Sequence, residues 1–226
     1  MEVEQLQNMG RLSDRIYTLV RQEILSGKFA PGQHLALEEI AQNLGVSTTP
    51  LRDALSLLAA DGLVEWRPRR GAFVAHLTPK TLRETYQVRE IIECSAVDFA
   101  IARGPMVATE MQSLATQIAS AGEDGNAAML YAHLELRFHT LPIECVGNSK
   151  LLDIYTSLSS PMTIAFALYP VSPRRNAEVL AEHQAIAAAL AAGDAASARE
   201  ATRTHLRKAE ANILARLSDQ EPPDSP

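Results

Sequence analysis

The chain predicts a mainly α fold in two parts, a small N-terminal helix-turn-helix carrying a β-hairpin and an all-α bundle of six helices behind it. Three observations predict this. Val46 to Val64 reads as one helix with clear punctuation at both ends. A basic stretch, Arg67-Pro68-Arg69-Arg70-Gly71, is flanked by two β-prone runs. From Pro79 onward no strand alternation occurs; alanine, leucine and glutamate dominate, and glycine or proline interrupts them at helical lengths.

The organising helix comes first. Ser47 is a good N-cap, since its hydroxyl can accept from an orphan N–H of the first turn. Pro50 falls in that turn, where its missing donor costs nothing. Leu51, Leu55 and Leu58 form an apolar stripe, and Gly62 ends the helix as a left-handed cap. The other face offers Thr48, Thr49, Arg52 and Ser56, crowded toward the N-terminus, a pattern that suits the DNA major groove. Before it, Leu37 to Leu44 is a short amphipathic helix, and Gly45 makes the tight turn between the two. After it, Leu63 to Trp66 and Ala72 to Ala75 flank the basic tip as a hairpin. A helix-turn-helix with such a hairpin is a winged helix. Arg67, Arg69, Arg70 and Gly71 at its tip join Ser47, Thr48, Thr49 and Arg52 as expected DNA contacts.

The flanking segments complete the first part. Residues 1–11 read as a loose arm. Leu12 to Lys28 is an amphipathic helix burying Ile16, Leu19, Val20, Ile24 and Leu25, with Ser13 and Asp14 as its N-terminal signal and Gly27 at its end. Pro31-Gly32 is a turn. The winged helix-turn-helix domain spans residues 12–76, and residues 77–79 link it to the helical part. Thr78 caps the next helix, with Pro79 at its first position.

The second part spans residues 80–218, with a solvated tail at 219–226. Its helices read as 79–103, 106–121, 126–144, 148–169, 174–192 and 194–217, the fourth kinked at Pro161. No internal repeat is evident.

Composition bounds the function. With 226 residues and 46% hydrophobic content, the chain can build a substantial core. No apolar run approaches the ~20 residues needed to span a bilayer, and the N-terminus lacks a secretory pattern, so a cytoplasmic, nucleoid-associated protein is expected. Cys94 and Cys145 read as reduced, buried or half-buried thiols. The net charge of −6 is unevenly spread. Residues 10–78 hold eight Lys/Arg against seven Asp/Glu, whereas 79–226 hold thirteen against eighteen. Phosphate binding requires a local cationic patch, not a basic protein.

Residues 12–78 resemble the DNA-binding domain of GntR-type bacterial transcription regulators. The resemblance rests on Ile24-Leu25-Ser26-Gly27, Pro31-Gly32, Leu44-Gly45-Val46-Ser47, Thr49-Pro50-Leu51-Arg52-Asp53-Ala54-Leu55, Leu58, Gly62-Leu63-Val64 and Arg70-Gly71-Ala72-Phe73-Val74. The chain departs from the family at Thr48, where arginine is usual, and at Glu38, where it is frequent, so no operator preference is implied. Residues 79–217 resemble the all-helical effector-binding domain (FCD) of the FadR subfamily. Val88-Arg89 with Glu93, Phe138-His139, Gly147-Asn148, Glu182-His183 with Ile186, Gly193-Asp194 and His205 carry that likeness. Six helices rather than seven look more like its shorter, VanR-like branch.

The residues and this resemblance together point to two chemical sites. Glu135 and His139 stand four apart on one helix face, and His183 and His205 lie in the middle of two later helices. One carboxylate and three imidazoles from three helices suit a divalent transition metal, zinc by preference, with nickel or manganese as alternatives. The family pattern has Asp or Asn where this chain has Glu135. His133 is six residues from His139 and points elsewhere. Arg89 admits two readings: an ion pair with Glu93 four residues on, or an inward guanidinium for an effector carboxylate. The resemblance favours the second.

The expected protein is thus a dimeric, metabolite-responsive regulator, a repressor, which binds operator DNA and a small organic acid at a metal site. The competing reading is a metal-dependent enzyme built on the same bundle with an accessory winged helix. Four protein ligands leave such an enzyme little room for chemistry, and no spare base or nucleophile stands at a convincing spacing. An architectural DNA-binding protein would not need a histidine-lined bundle.

Overall fold

The computed structural model describes residues 11–123, 128–158, 162, 164–166 and 171–220. The chain divides into two compact units, Met1–Leu77 and Thr78–Pro226.

In the first unit, α1 (Leu12–Leu25) buries Ile16, Val20 and Ile24, and leaves Leu19 and Leu25 half-buried. Its N-cap is Arg11, whose N–H donates to Asp14 Oδ2 at 3.3 Å; Ser13 lies inside the helix instead of capping it. A two-residue strand, β1 (His34–Leu35), precedes α2 (Leu37–Leu44). Gly45, at φ 65°, turns the chain into α3 (Thr48–Ala60). Ser47 occupies the N-cap position with extended backbone but makes no side-chain capping bond, so its hydroxyl remains outward. Leu51, Leu55 and Leu58 are fully buried. At the other end, Gly62 at φ 70° lets the Leu63 N–H reach back to the Leu58 carbonyl at 2.9 Å. The hairpin β2 (Val64–Arg67) and β3 (Gly71–Val74) comes next, and β1 joins the free side of β3 to give the order β1-β3-β2, antiparallel throughout. β1 has too few residues to show alternation, which is why the sequence reads only a turn there.

The second unit opens with α4 (Pro79–Ala102), whose N-cap Thr78 accepts from the Thr81 N–H at 3.0 Å. Pro79 therefore belongs to the helix, not to a linker. Then come α5 (Pro105–Glu123), α6 (Ala128–Val146), α7 (Ser149–Ser157), α8 (Pro173–Ala191) and α9 (Ala195–Gln220). Two expectations are corrected. The fourth helix breaks after Ser157, with helix again at 162 and 164–166 among the described residues, and the last continues to Gln220, into the stretch read as tail. Pro161 lies outside the described residues, as do residues 1–10 and 221–226.

α5 packs against α6 and α8, while α4 packs against α6 and α9. Met111, Ala115 and Ile118 from α5, Phe138 from α6 and Ile186 with Ala187 from α8 fill the space between them. α4, α6, α8 and α9 thereby turn their polar inward groups toward one another, and the candidate metal ligands come from three of these helices.

Candidate metal centre and nucleic-acid interface

The first unit places its expected DNA contacts in two groups. Ser47, Thr48, Thr49 and Arg52 are exposed at the N-terminal end of α3. The Arg52 guanidinium lies 5.7 Å from the centroid of the Trp66 ring, so an aromatic on β2 steadies a cation on α3. The wing tip is a tight turn in which the Arg70 N–H donates to the Arg67 carbonyl at 3.0 Å. Pro68 and Arg69 form its centre, and Arg69 takes φ 62°, the geometry of a type II turn. Arg69 and Arg70 are exposed, the Arg70 guanidinium standing 5.6 Å from the Phe73 ring centroid. Arg67 does not: its guanidinium lies 4.3 Å from the Phe73 ring centroid and donates to Glu65 at 3.2 Å. Gly71 has φ 91°, and a Cβ there would fall 3.0 Å from His34 Nε2. Its place in the wing is explained by backbone conformation.

In the second unit the four expected ligands converge. Glu135 and His139 are contributed by α6, His183 by α8 and His205 by α9, and all four are buried. His205 Nε2 lies 3.2 Å from His139 Nε2 and 3.3 Å from His183 Nε2. Glu135 Oε2 lies 3.5 Å from His139 Nε2 and 3.7 Å from His183 Nε2. All four atoms lie within 4.8 Å of one another. Ligands about 2.1 Å from a tetrahedral ion stand about 3.4 Å apart, so these separations fit a zinc-sized ion with little adjustment. The longer Glu135 reaches the cluster despite the shorter residue usual at that position. His133 is exposed and faces away.

Packing and hydrogen bonds hold the rings in place. Phe138 stacks on His183 with centroids 4.1 Å apart, and His139 stacks on His205 at 5.0 Å. His139 Nδ1 pairs with Glu93 Oε2 at 2.7 Å, and His205 Nδ1 pairs with Glu182 Oε2 at 2.9 Å. Each contact fixes the tautomer that frees Nε2 for a metal. These carboxylates are anchored in turn. Glu93 Oε1 accepts from Arg89 Nε at 2.8 Å and from the Tyr155 hydroxyl at 2.6 Å. Glu182 accepts a two-pronged bond from Arg175 at 2.7 and 2.8 Å.

The charges favour the ligating form at His183 and His205, whereas, against its burial, Glu93 and Glu135 raise His139. Burial works to raise the Glu93 carboxyl, but Arg89 and His139 beside it outweigh burial and hold it at about 2. Glu182 is likewise held at about 2 against burial by His205 and Arg175. Burial pushes His183 well below the ordinary histidine value, and pushes His205 down despite Glu182. Both imidazoles are therefore in the neutral, ligating form at neutral pH.

Arg89 bears out the first of its sequence readings. It makes the buried ion pair with Glu93, and it also lines a cavity that Glu135, His139 and Tyr155 share. Glu93, Glu182 and Tyr155 are site residues that sequence reasoning did not assign. Glu182 stands beside His183, and Glu93 four residues after Arg89, but neither spacing reveals that their carboxylates reach His205 and His139 on other helices.

An exposed polar helix beside a cationic wing, with a helical unit that holds a buried ligand cluster, defines a DNA-binding transcription regulator. The chain belongs to the GntR family: residues 12–74 match the family of bacterial regulatory proteins of that name, and residues 84–208 match the FCD domain. It is 32% identical over 206 residues to an HTH-type transcriptional regulator in an unstable DNA locus of Streptomyces ambofaciens, covering 89% of this chain and 85% of that one. It is 29% identical over 196 residues to a probable D-xylose utilization operon transcriptional repressor of Paenarthrobacter nicotinovorans, covering 86% and 85% of the two chains. A solved structure described as a GntR transcriptional regulator from Rhodococcus sp. RHA1 superposes with a TM-score of 0.69 at 28% identity, covering 90% of this chain and 97% of that one. The family is one of regulators, so the enzyme reading falls away. No helix among the described residues is long and apolar enough to cross a membrane.

Proposed function

We propose that this regulator is a homodimeric, cytoplasmic repressor that responds to a small carboxylate bound at a divalent metal. Glu135, His139, His183 and His205 hold the ion, zinc by preference, and Arg89 contributes the cationic side of the effector site. The observation that carries this reading is the convergence of three Nε2 atoms and one carboxylate oxygen in a buried core, with two of the rings oriented by anchored carboxylates. Burying that many polar groups without a central partner is costly, and a metal satisfies all four. The metal would act as an electrophilic anchor for a carboxylate oxygen. This chain's own residues exclude water, fix the ring tautomers and present Arg89 beside the ligands.

Ser47, Thr48, Thr49, Arg52, Arg69 and Arg70 form the operator-facing surface, with Arg67 supporting the wing. Two copies would read a two-fold symmetric operator. The relative in Paenarthrobacter nicotinovorans is named as a repressor, which supports the direction of control. The test combines elemental analysis of purified protein with gel-shift titration of metal-loaded and chelated protein, with and without carboxylates. About one divalent ion per chain and a carboxylate-dependent change in operator affinity are expected. Protein that takes up no metal under any loading condition overturns the metal reading.

A further inference from the structure

Trp66 stands on the core face of the sheet without being absorbed by the core. It pairs across the ladder with Ala72, which pairs in turn with Leu35, and the pair Val64 and Val74 lies two residues along the same face. Leu35, Val64, Ala72 and Val74 are all buried, yet the indole at the end of this row is 37% exposed. α3 packs against β2, and at that seam the Arg52 Cζ lies over the indole, 5.7 Å from the ring centroid. Arg52 is the fifth residue of α3 and the single Lys or Arg in that helix. The N-terminal residues of a recognition helix are the ones that reach base edges. Among the described residues no carboxylate pairs with Arg52, and Trp66 is its one side-chain partner. The kind of partner matters for recognition. A carboxylate would occupy the donor fork, whereas a ring face holds the guanidinium and leaves its in-plane N–H groups free. Bidentate reading of a guanine edge requires two of those N–H groups side by side.

We propose that Trp66 is a positioning residue of the DNA interface: it orients the Arg52 fork toward a base edge, and the two side chains act as one unit. This rests on the reading of Arg52 as an operator contact and adds what makes that contact selective. The experiment uses the full chain and a duplex that the wild type selects from a randomised pool, with a scrambled duplex of the same composition as control. Binding is titrated at fixed salt by anisotropy of the labelled duplex across a double-mutant cycle of Arg52→Ala and Trp66→Ala. Trp66→Ala should weaken binding of the selected duplex roughly two- to fivefold, the factor that an exposed cation–π contact supplies. Binding of the scrambled duplex should change less. Trp66→Phe, which keeps an aromatic face, should recover part of the loss. In the Arg52→Ala background, Trp66→Ala should have no further effect. Selections repeated with each single variant should relax the consensus at the same base pairs. Should Trp66→Ala lose its fold in urea titration, Trp66→Leu, bulky but without the aromatic face, carries the same comparison. Equal losses in both backgrounds overturn the inference, because Trp66 would then act on DNA or on the fold by itself. A loss shared alike by the selected and scrambled duplexes overturns it too. If Arg52→Ala weakens binding and Trp66→Ala does not, the operator reading of Arg52 stands and this inference falls. If Arg52→Ala leaves the selected duplex bound as before, both fall.

Discussion

Arg52 and Glu182 each have their effect through a neighbour. Arg52 is exposed on α3 and steadied by Trp66, with no ion pair to it among the described residues. Arg52→Ala should weaken operator binding by about 1–3 kcal/mol if the contact is to a base, read by gel shift at fixed salt. Unchanged affinity removes Arg52 from the interface. Glu182 touches no metal ligand atom, yet it sets the tautomer of His205 from behind. Glu182→Gln retains the shape and removes the charge. Metal affinity should then fall ~10–100-fold in a competitive chelator titration. A change below twofold would show that the Glu182 contact only fills space. His183 differs from the other two imidazoles: its buried Nδ1 has no hydrogen-bond partner among the described residues, and stacking on Phe138 together with its His139 and His205 neighbours holds the ring.

The wing and the bundle helices show how an element fixes what its residues can do. The tip turn leaves Arg69 and Arg70 exposed, Arg70 only loosely against Phe73 at 5.6 Å, and folds Arg67 closer on Phe73 at 4.3 Å and onto Glu65. Arg70→Ala should therefore reduce the slope of log affinity against log salt by about one phosphate contact, and Arg67→Ala by less. Equal effects of the two would mean that Arg67 leaves Phe73 on DNA binding. Gly71→Ala should destabilise the first unit by about 1–2 kcal/mol in urea titration, since a left-handed backbone and a 3.0 Å approach to His34 oppose a side chain. The element boundaries show how far local signals reach. Thr78-Pro79 caps α4 as the residues predict, because capping is local. α7 ends at Ser157, four residues before Pro161, whose missing N–H leaves the Ser157 carbonyl without its helical partner, so the expected kink is a break.

In the second unit, Glu135, His139, His183 and His205, on three helices, meet in one cluster, so an ion held there would couple its binding to folding. An ion that binds only the folded unit adds about 4 kcal/mol at a thousandfold excess over Kd, and this should raise its Tm by roughly 8–16 °C. Calorimetry of chelated and zinc-loaded protein reads this directly. His183→Ala should abolish the shift and the response to carboxylates, while the first unit, which folds around its own core, keeps its transition. A metal-induced rise in Tm that survives in His183→Ala would place the ion elsewhere.

The sequence by itself determined the two-unit plan, the apolar stripes of α1 and α3, the polar N-terminal face of α3 and the basic hairpin, because each is written in local spacing or in residue chemistry, and with the family resemblance it singled out Glu135, His139, His183 and His205 as one group. Only the tertiary structure decided that Glu93 and Glu182 orient His139 and His205, that Arg89 serves an ion pair and a cavity wall together, and that β1 completes the sheet. Those are contacts between segments distant in the chain. They depend on which helix faces which, and that is set by how the whole core packs around Met111, Ile118, Phe138 and Ile186, not by any signal within a single helix.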